Sequence, residues 1–280
     1  MNGTGDDRVE RTQFHLEVGG HRLHVQRLRP RPGRCDRLPL VFLHEGLGSV
    51  AQWTARMRGT GGIDVPARLA EATGRAAIVY DRLGFGGSDA LPADRQPGYL
   101  YHEAGEVLPR VLDGAGIGAA VLIGHSDGAS IALLFAARHG QRAAGIVSEA
   151  AHVIIEDLTL EGIRRARAAY HAPDSKLRAA LARHHGAKAD HTFRNWADVW
   201  LDPAFAAFDM TDELPRIRCP VLAIQGDGDE YGSPDQLTAI AAGVAGPVDT
   251  WLVPDCGHVP HFQAHDRVLP RIVDFLESLD

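Results

Sequence analysis

Residues 124–128 read Gly-His-Ser-Asp-Gly, placing Ser126 at the centre of a Gly-x-Ser-x-Gly pentapeptide between an apolar run and a helix-like one. Glycines at 124 and 128 remove the side chains that would collide where a strand turns sharply into a helix, so the serine can sit on a strained bend with its hydroxyl exposed. The following helix turns its free N–H groups toward the same spot, where an oxyanion would form. A serine hydroxyl is a weak nucleophile until a base takes its proton, and that base must come from 15 histidines. His258 is the candidate: it follows Gly257 in a loop just past the last strand-like run. Catalytic groups of open α/β sheets gather at the carboxyl ends of strands, where Ser126 also lies. The imidazole in turn needs a carboxylate to fix its tautomer and stabilise its charged form. The loop Gly226-Asp227-Gly228-Asp229-Glu230 offers acids at another strand end, and both Asp229 and Asp227 are in position. Serine, imidazole and carboxylate together suit attack on a carbonyl.

A second donor for the oxyanion is expected from His44-Glu45-Gly46-Leu47-Gly48-Ser49, the glycine-bearing turn after the run ending at Leu43. The expected pair is the backbone N–H of Asp127 with that of Gly46, and the N–H of Glu45 is the alternative. Asp127 itself reads as an acid favoured by the helix dipole. Glu45, His152, Glu156, His191 and Trp200 are candidate substrate contacts, with a packing or solvated role open for the last four. His258, His261 and His265 have a spacing that suggests metal ligands, but no acid or cysteine pattern supports them and no metal is expected. Gly84-Phe85-Gly86-Gly87 lacks the full spacing of a dinucleotide loop and reads as a structural turn.

The elements that must position these groups alternate along the chain. Residues 12–18 and 21–28 alternate apolar with polar around Gly19-Gly20, as an antiparallel hairpin does. Short aliphatic runs at 38–43, 76–80, 119–123, 144–147, 221–225 and 248–253 read as buried, mostly parallel strands. Helical patterns fall near 64–73, 99–114, 127–139, 234–244 and 263–279. This order is the doubly wound α/β class. From about 151 to 210 the alternation stops, and apolar residues recur at helical spacing (Ile163, Ala166, Tyr170; Trp196, Val199, Trp200). The expectation is a core domain of residues 1–150 and 211–280 carrying a helical lid of residues 151–210.

Composition sets outer bounds. A chain of 280 residues, 45% hydrophobic, can bury a large core. Its net charge of −7 argues against nucleic-acid and anionic-membrane partners, which attract clustered positive charge. No run approaches a membrane span, and the opening Met-Asn-Gly-Thr-Gly-Asp-Asp-Arg lacks the apolar stretch of a signal peptide, so a cytoplasmic location is expected. Cys35, Cys219 and Cys256 form neither a disulfide framework nor a zinc ribbon. A homodimer is compatible with the sequence, which specifies no oligomeric state.

Taken together, these segments resemble the α/β-hydrolase superfamily, from about Arg11 to the C-terminus. Tyr80-Asp81-Arg82-Leu83-Gly84-Phe85-Gly86-Gly87-Ser88 is similar to that family's Asp-x-x-Gly-x-Gly-x-Ser segment, and the 44–49 turn stands where its His-Gly oxyanion turn does. Gly226-x-x-Asp229 and Gly257-His258 complete the likeness. The resemblance implies a mostly parallel twisted sheet with helices on both faces, the chain order Ser, Asp, His, and Asp229 rather than Asp227 as the acid. Glu45 departs from the pattern, where relatives usually have glycine; a carboxylate there repels developing negative charge unless it is paired or points away. Relatives that open epoxides or displace halide carry aspartate at the position of Ser126, so that chemistry is not expected. The implied activity is hydrolysis of a carboxylic ester, thioester or lactone, with a small molecule as the partner and no cofactor. Carbon–carbon hydrolysis of a ring-fission diketone is the nearest alternative; it calls for a cationic pocket, with Arg82, Arg164 and Arg165 as conceivable donors. A ligand receptor that keeps the three residues is the alternative of another class, and cofactor-free oxygenation a further one.

Overall fold

Gly19 and Gly20, at φ of 61° and 81°, close a two-residue turn between β1 (Val9–Val18) and β2 (His21–Pro30). Positive φ at both central positions gives the turn a twist that matches its flanking strands. The computed structural model describes residues 8–34, 36–57 and 61–280; the opening heptapeptide and Cys35 lie outside the described residues. The further strands are β3 (Leu40–Leu43), β4 (Thr54–Met57), β5 (Gly61–Asp64), β6 (Ala77–Tyr80), β7 (Ala120–His125), β8 (Ala143–Glu149), β9 (Val221–Gly226) and β10 (Val248–Val253). The helices are α1 (Val65–Thr73), α2 (Tyr99–His102), α3 (Leu108–Ala115), α4 (Asp127–Arg138), α5 (Asp157–His171), α6 (Lys176–His185), α7 (Ala189–Trp200), α8 (Asp235–Gly243), α9 (Pro260–Gln263) and α10 (His265–Glu277).

Eight strands form one sheet in the order β1-β2-β6-β3-β7-β8-β9-β10. From β6 to β10 all neighbours are parallel, and the β1–β2 hairpin joins antiparallel at one edge. The parallel strands are apolar on both faces, because helices cover both. Leu40, Phe42, Val121 and Ile123 pack with Leu69, Val268 and Ile272 of α1 and α10. Val41, Leu43 and Leu122 face the other way, into a cluster with Ile131 and Leu134 of α4. From β3 the chain crosses to β6 on one side and later to β7 on the other. A crevice opens outside the carboxyl ends of strands where the order reverses. Here it lies at the ends of β3 and β7, which lead into His44 and Ser126.

Three local features differ from the sequence reading. Thr54–Met57 and Gly61–Asp64 pair as a separate two-stranded sheet, too short and too little patterned to stand out in the sequence. The helix expected over 263–279 is broken at Ala264 (φ −132°), and Pro260 opens the short turn before the break. Tyr99–Ala115 is one continuous helical stretch that carries a π-turn at Glu103–Val107.

Residues 151–210 hold α5, α6 and α7, whose Ile163, Leu181 and Phe193 join the α4-side core. The segment is bonded to the loops at the strand ends. Thr192 Oγ1 donates to the Gly84 carbonyl (2.9 Å), His185 Nε2 to that of Leu47 (2.9 Å) and Thr159 Oγ1 to that of Tyr231 (2.7 Å). Among the described residues no helix is long and apolar enough to cross a membrane.

Candidate active site

Ser126 has φ 53° and ψ −118°, a conformation that an L-residue keeps only when its surroundings enforce it. Its N–H donates to the Glu149 carbonyl (2.9 Å), and its own carbonyl accepts the N–H groups of Ala129 and Ser130. Glycine is obligatory on both sides. A Cβ at Gly124 would run into the backbone of Gly128, and one at Gly128 into the carbonyl of Leu43. The pentapeptide glycines therefore let β3, β7 and α4 approach closely enough to hold the bend.

His258 Nδ1 lies 2.9 Å from each carboxylate oxygen of Asp229. Asp229 also accepts from Gln225 Nε2 (2.6 Å) and from the N–H of Tyr231 (2.8 Å) and Gly232 (3.3 Å). Burial acts to raise the Asp229 carboxyl, but the hydrogen bond and charge of His258, with the Tyr231 N–H, outweigh it and hold the group below its usual range. An ionised acceptor there fixes the proton of His258 on Nδ1 and leaves Nε2 as a base. Asp227 turns elsewhere and accepts from the Cys256 N–H (3.3 Å). The structure brings Asp229 to His258, and not Asp227.

Ser126 and His258 line one cavity of about 370 Å³, together with Glu45, His152, Trp196 and Trp200. A larger recess of about 630 Å³, beside Arg95 and Glu103, contains neither Ser126 nor His258. Two of the residues expected to touch substrate are placed elsewhere. Glu156 accepts from the Ser233 N–H and Gln236 Nε2, while His191, partly exposed, pairs with Asp94 at 2.9 Å. Each is committed to a partner outside the cavity. Arg82, Arg164 and Arg165 do not line the cavity either. Arg164 and Arg165 are exposed beside Glu161. Among the described residues no group of three His, Cys, Asp or Glu side chains is arranged to hold a metal. His258, His261 and His265 point to three separate partners: Asp229, Glu149 and the Phe262 carbonyl.

Behind the elbow lies a buried polar network that the sequence reading missed. Arg82 and Asp127 form an ion pair at 3.2 Å, with 1% and 2% of their side chains exposed. Tyr99 donates its hydroxyl to Asp127 (2.6 Å), and Trp200 Nε1 donates to Tyr99 (2.9 Å). Arg82 also donates to the Glu45 carbonyl (2.8 Å), tying the 44–48 turn to the start of α4. The acid at the helix start is thus an ion-pair partner and not only a dipole complement. His44 Nδ1 donates to the Glu45 carbonyl (2.8 Å), and Nε2 accepts the Arg82 N–H (3.0 Å), which fixes a neutral tautomer. Neither the Gly46 nor the Asp127 N–H is engaged by a protein acceptor among the described residues. Gly46 packs directly against the Trp196 indole, where a Cβ would not fit. Gln52 Nε2 donates to His125 Nδ1 (3.0 Å), so His125 carries its proton on Nε2 and donates to the His258 carbonyl (2.7 Å). His125 sits beside the serine in the motif, and that position was the available signal. Gln52 and Gln225 had none.

Four histidines are kept from charging chiefly by burial. His44 and His125 are held well below the usual 6.5, His185 is lowered, and His152 is brought down to about 4. Bases whose folded-state pKa is depressed take up protons first in the unfolded chain as pH falls through 6.5. Stability is therefore fully present above that pH and is lost on the way to pH 4. His152 alone accounts for on the order of 3 kcal/mol over this window. The urea midpoint is expected to drop steeply between about pH 7.5 and about pH 5; equal midpoints would show that these rings charge freely in the folded protein.

A doubly wound sheet with a strained serine at one strand end and a carboxylate-bound histidine lining the same cavity belongs to the hydrolytic α/β class. The model of the alpha/beta hydrolase family matches residues 40–271, and the chain belongs to that family. It is 22% identical over 261 residues to the 2-hydroxy-6-oxo-6-phenylhexa-2,4-dienoate hydrolase of Burkholderia cepacia, covering 85% of this chain and 87% of that one. Among solved structures, proline iminopeptidase of Mycobacterium smegmatis superposes with a TM-score of 0.70 at 21% identity, over 96% of this chain and 98% of the other. The enol-lactonase of Burkholderia xenovorans superposes with a TM-score of 0.69 at 20% identity, over 94% of this chain and all of the other. These structural likenesses establish the fold.

Proposed function

We propose that the protein is a serine hydrolase that cleaves a carboxylic ester, thioester or lactone through an acyl-enzyme on Ser126. The observation that carries this reading is the Asp229 contact at His258 Nδ1, because it leaves Nε2 as the acceptor in a cavity that Ser126 also lines. Ser126 Oγ adds to the carbonyl carbon while His258 takes its proton, and the N–H groups of Gly46 and Asp127 hold the oxyanion. The tetrahedral adduct collapses, and His258 returns the proton to the departing alcohol or thiol. Water then repeats the cycle on the acyl-enzyme and releases the acid. Residues 151–210 act as a lid over this site, with 1–150 and 211–280 as the core domain. The lid's bonds to the Leu47, Gly84 and Tyr231 carbonyls support that role.

Carbon–carbon hydrolysis has the Burkholderia cepacia relative in its favour, whose named substrate is a carboxylate. A carboxylate needs a cation to meet it. Among the described residues that line the cavity there is no lysine or arginine, and Arg82 is spent on Asp127 and on backbone carbonyls. Ester cleavage is therefore the better supported reading. Fluorophosphonate labelling, read by mass spectrometry of the Ser126 peptide, is expected to modify that residue. A panel of ester, thioester, lactone and vinylogous diketone should show turnover among the first three. Absence of both label and turnover, with ligand binding retained, would favour the receptor alternative.

A further inference from the structure

The charge on the cavity wall is one-sided. The carboxyl groups that line it are Glu45 and Glu230, and no lysine or arginine among the described residues faces them there. Glu230 Oε2 accepts the His258 N–H at 3.3 Å. Glu45 Oε2 accepts the Leu47 N–H at 2.6 Å, while its second oxygen has no protein partner among the described residues. Burial raises the Glu45 carboxyl, and Asp127 adds to the rise against the pull of the Leu47 N–H and of the His258 and Arg82 charges. A carboxylate placed this way is costly unless a cation joins it.

Aromatic side chains make up part of the remaining wall, beside Leu47, Gln52, Thr159, Ile163 and Val259. Trp196, Trp200 and Tyr231 line the same space, and the Trp200 indole is held by its bond to Tyr99. Aromatic faces attract cations and repel anions. His152, 3% exposed, also lines the cavity, and its Nδ1 has no partner among the described residues. With Nε2 donating to the Tyr231 carbonyl (3.2 Å), that Nδ1 is a free acceptor.

We propose that the cavity selects substrates carrying an ammonium group, held between the Glu45 carboxylate and the aromatic wall of Trp196, Trp200 and Tyr231. This inference rests on the ester-hydrolase reading and names its substrate class. It is distinct from any role of Asp229, whose carboxylate is committed to His258.

The test uses isosteric pairs in which NH⁺ replaces CH. Dimethylaminoethyl butyrate is compared with isopentyl butyrate for a cation on the alcohol side. Ethyl dimethylaminobutyrate is compared with its carbon isostere for a cation on the acyl side. In at least one pair the cationic member is expected to exceed the neutral one about tenfold or more in kcat/KM. Glu45→Gln should bring that ratio close to one. A role confined to favouring the charged form of His258 would slow both members equally and leave the ratio unchanged; that result overturns the proposal, as does a ratio near one in both wild-type pairs. The same pairs are titrated against Ser126→Ala by calorimetry, which reads the preference as binding. Cationic preference in binding with no wild-type turnover would sink the hydrolase reading and keep the ammonium site. Turnover of neutral esters without cationic preference would do the reverse.

Discussion

Ser126→Ala is expected to lower kcat on an activated ester by about 10³-fold or more, because on the proposed reading the variant keeps the cavity and the oxyanion donors but has no group to form the acyl-enzyme. The residual rate comes from what remains of the site. The fold should be indifferent to the change. Ser126 Oγ makes no protein hydrogen bond among the described residues, and the bend is fixed by backbone contacts to Glu149, Ala129 and Ser130, all of which an alanine retains. Thermal midpoints of the two proteins should agree within about 2 °C. An alanine variant with full activity would remove Ser126 from the chemistry, and His258 with it. A large fall in midpoint would mean that the hydroxyl supports structure.

What could be read from the sequence followed the groups whose chemistry is local. The serine bend was legible because two glycines at fixed spacing are the only way to bring β7 and α4 so close to Leu43. The parallel strands were legible because burial on both faces makes them uniformly apolar. Glu45 stood out as an acid where a glycine was expected, yet its surroundings did not: the Leu47 N–H that binds it is backbone, and the indole of Trp196 comes from a helix some 150 residues away. The Arg82–Asp127–Tyr99 network was hidden for the same reason, since three distant segments supply it and none has a spacing that requires the others. In the sequence Trp196 belongs only to an apolar stripe with Val199 and Trp200. Helical periodicity shows which side of a helix is buried but not what it is buried against. Glu156 and His191 illustrate the converse, polar residues near the site whose partners Gln236 and Asp94 turn them away from it.

The second large effect is expected at Asp229, and its bonding explains the size. Gln225 Nε2 and the N–H groups of Tyr231 and Gly232 converge on the carboxylate along with His258 Nδ1, so every partner is a donor. An asparagine at this position can satisfy the Tyr231 and Gly232 N–H groups with its oxygen, but its amide NH₂ then faces two donors. The cheapest relief is for His258 to move its proton to Nε2 and accept at Nδ1. In that tautomer the nitrogen available to the cavity is a donor, and it cannot take the Ser126 proton. Asp229→Asn is accordingly expected to cut kcat by about 10⁴-fold with KM little changed. Asp227→Asn supplies the contrast: its side chain accepts only the Cys256 N–H, and the change should cost a few-fold at most. Because Asp229 is held below its usual range by His258 and the Tyr231 N–H, wild-type activity should survive acidification through the ordinary carboxylate range without loss from its protonation. Equal losses in the two variants, measured as kcat on the same ester, would return the choice between the two acids to where the loop sequence alone leaves it.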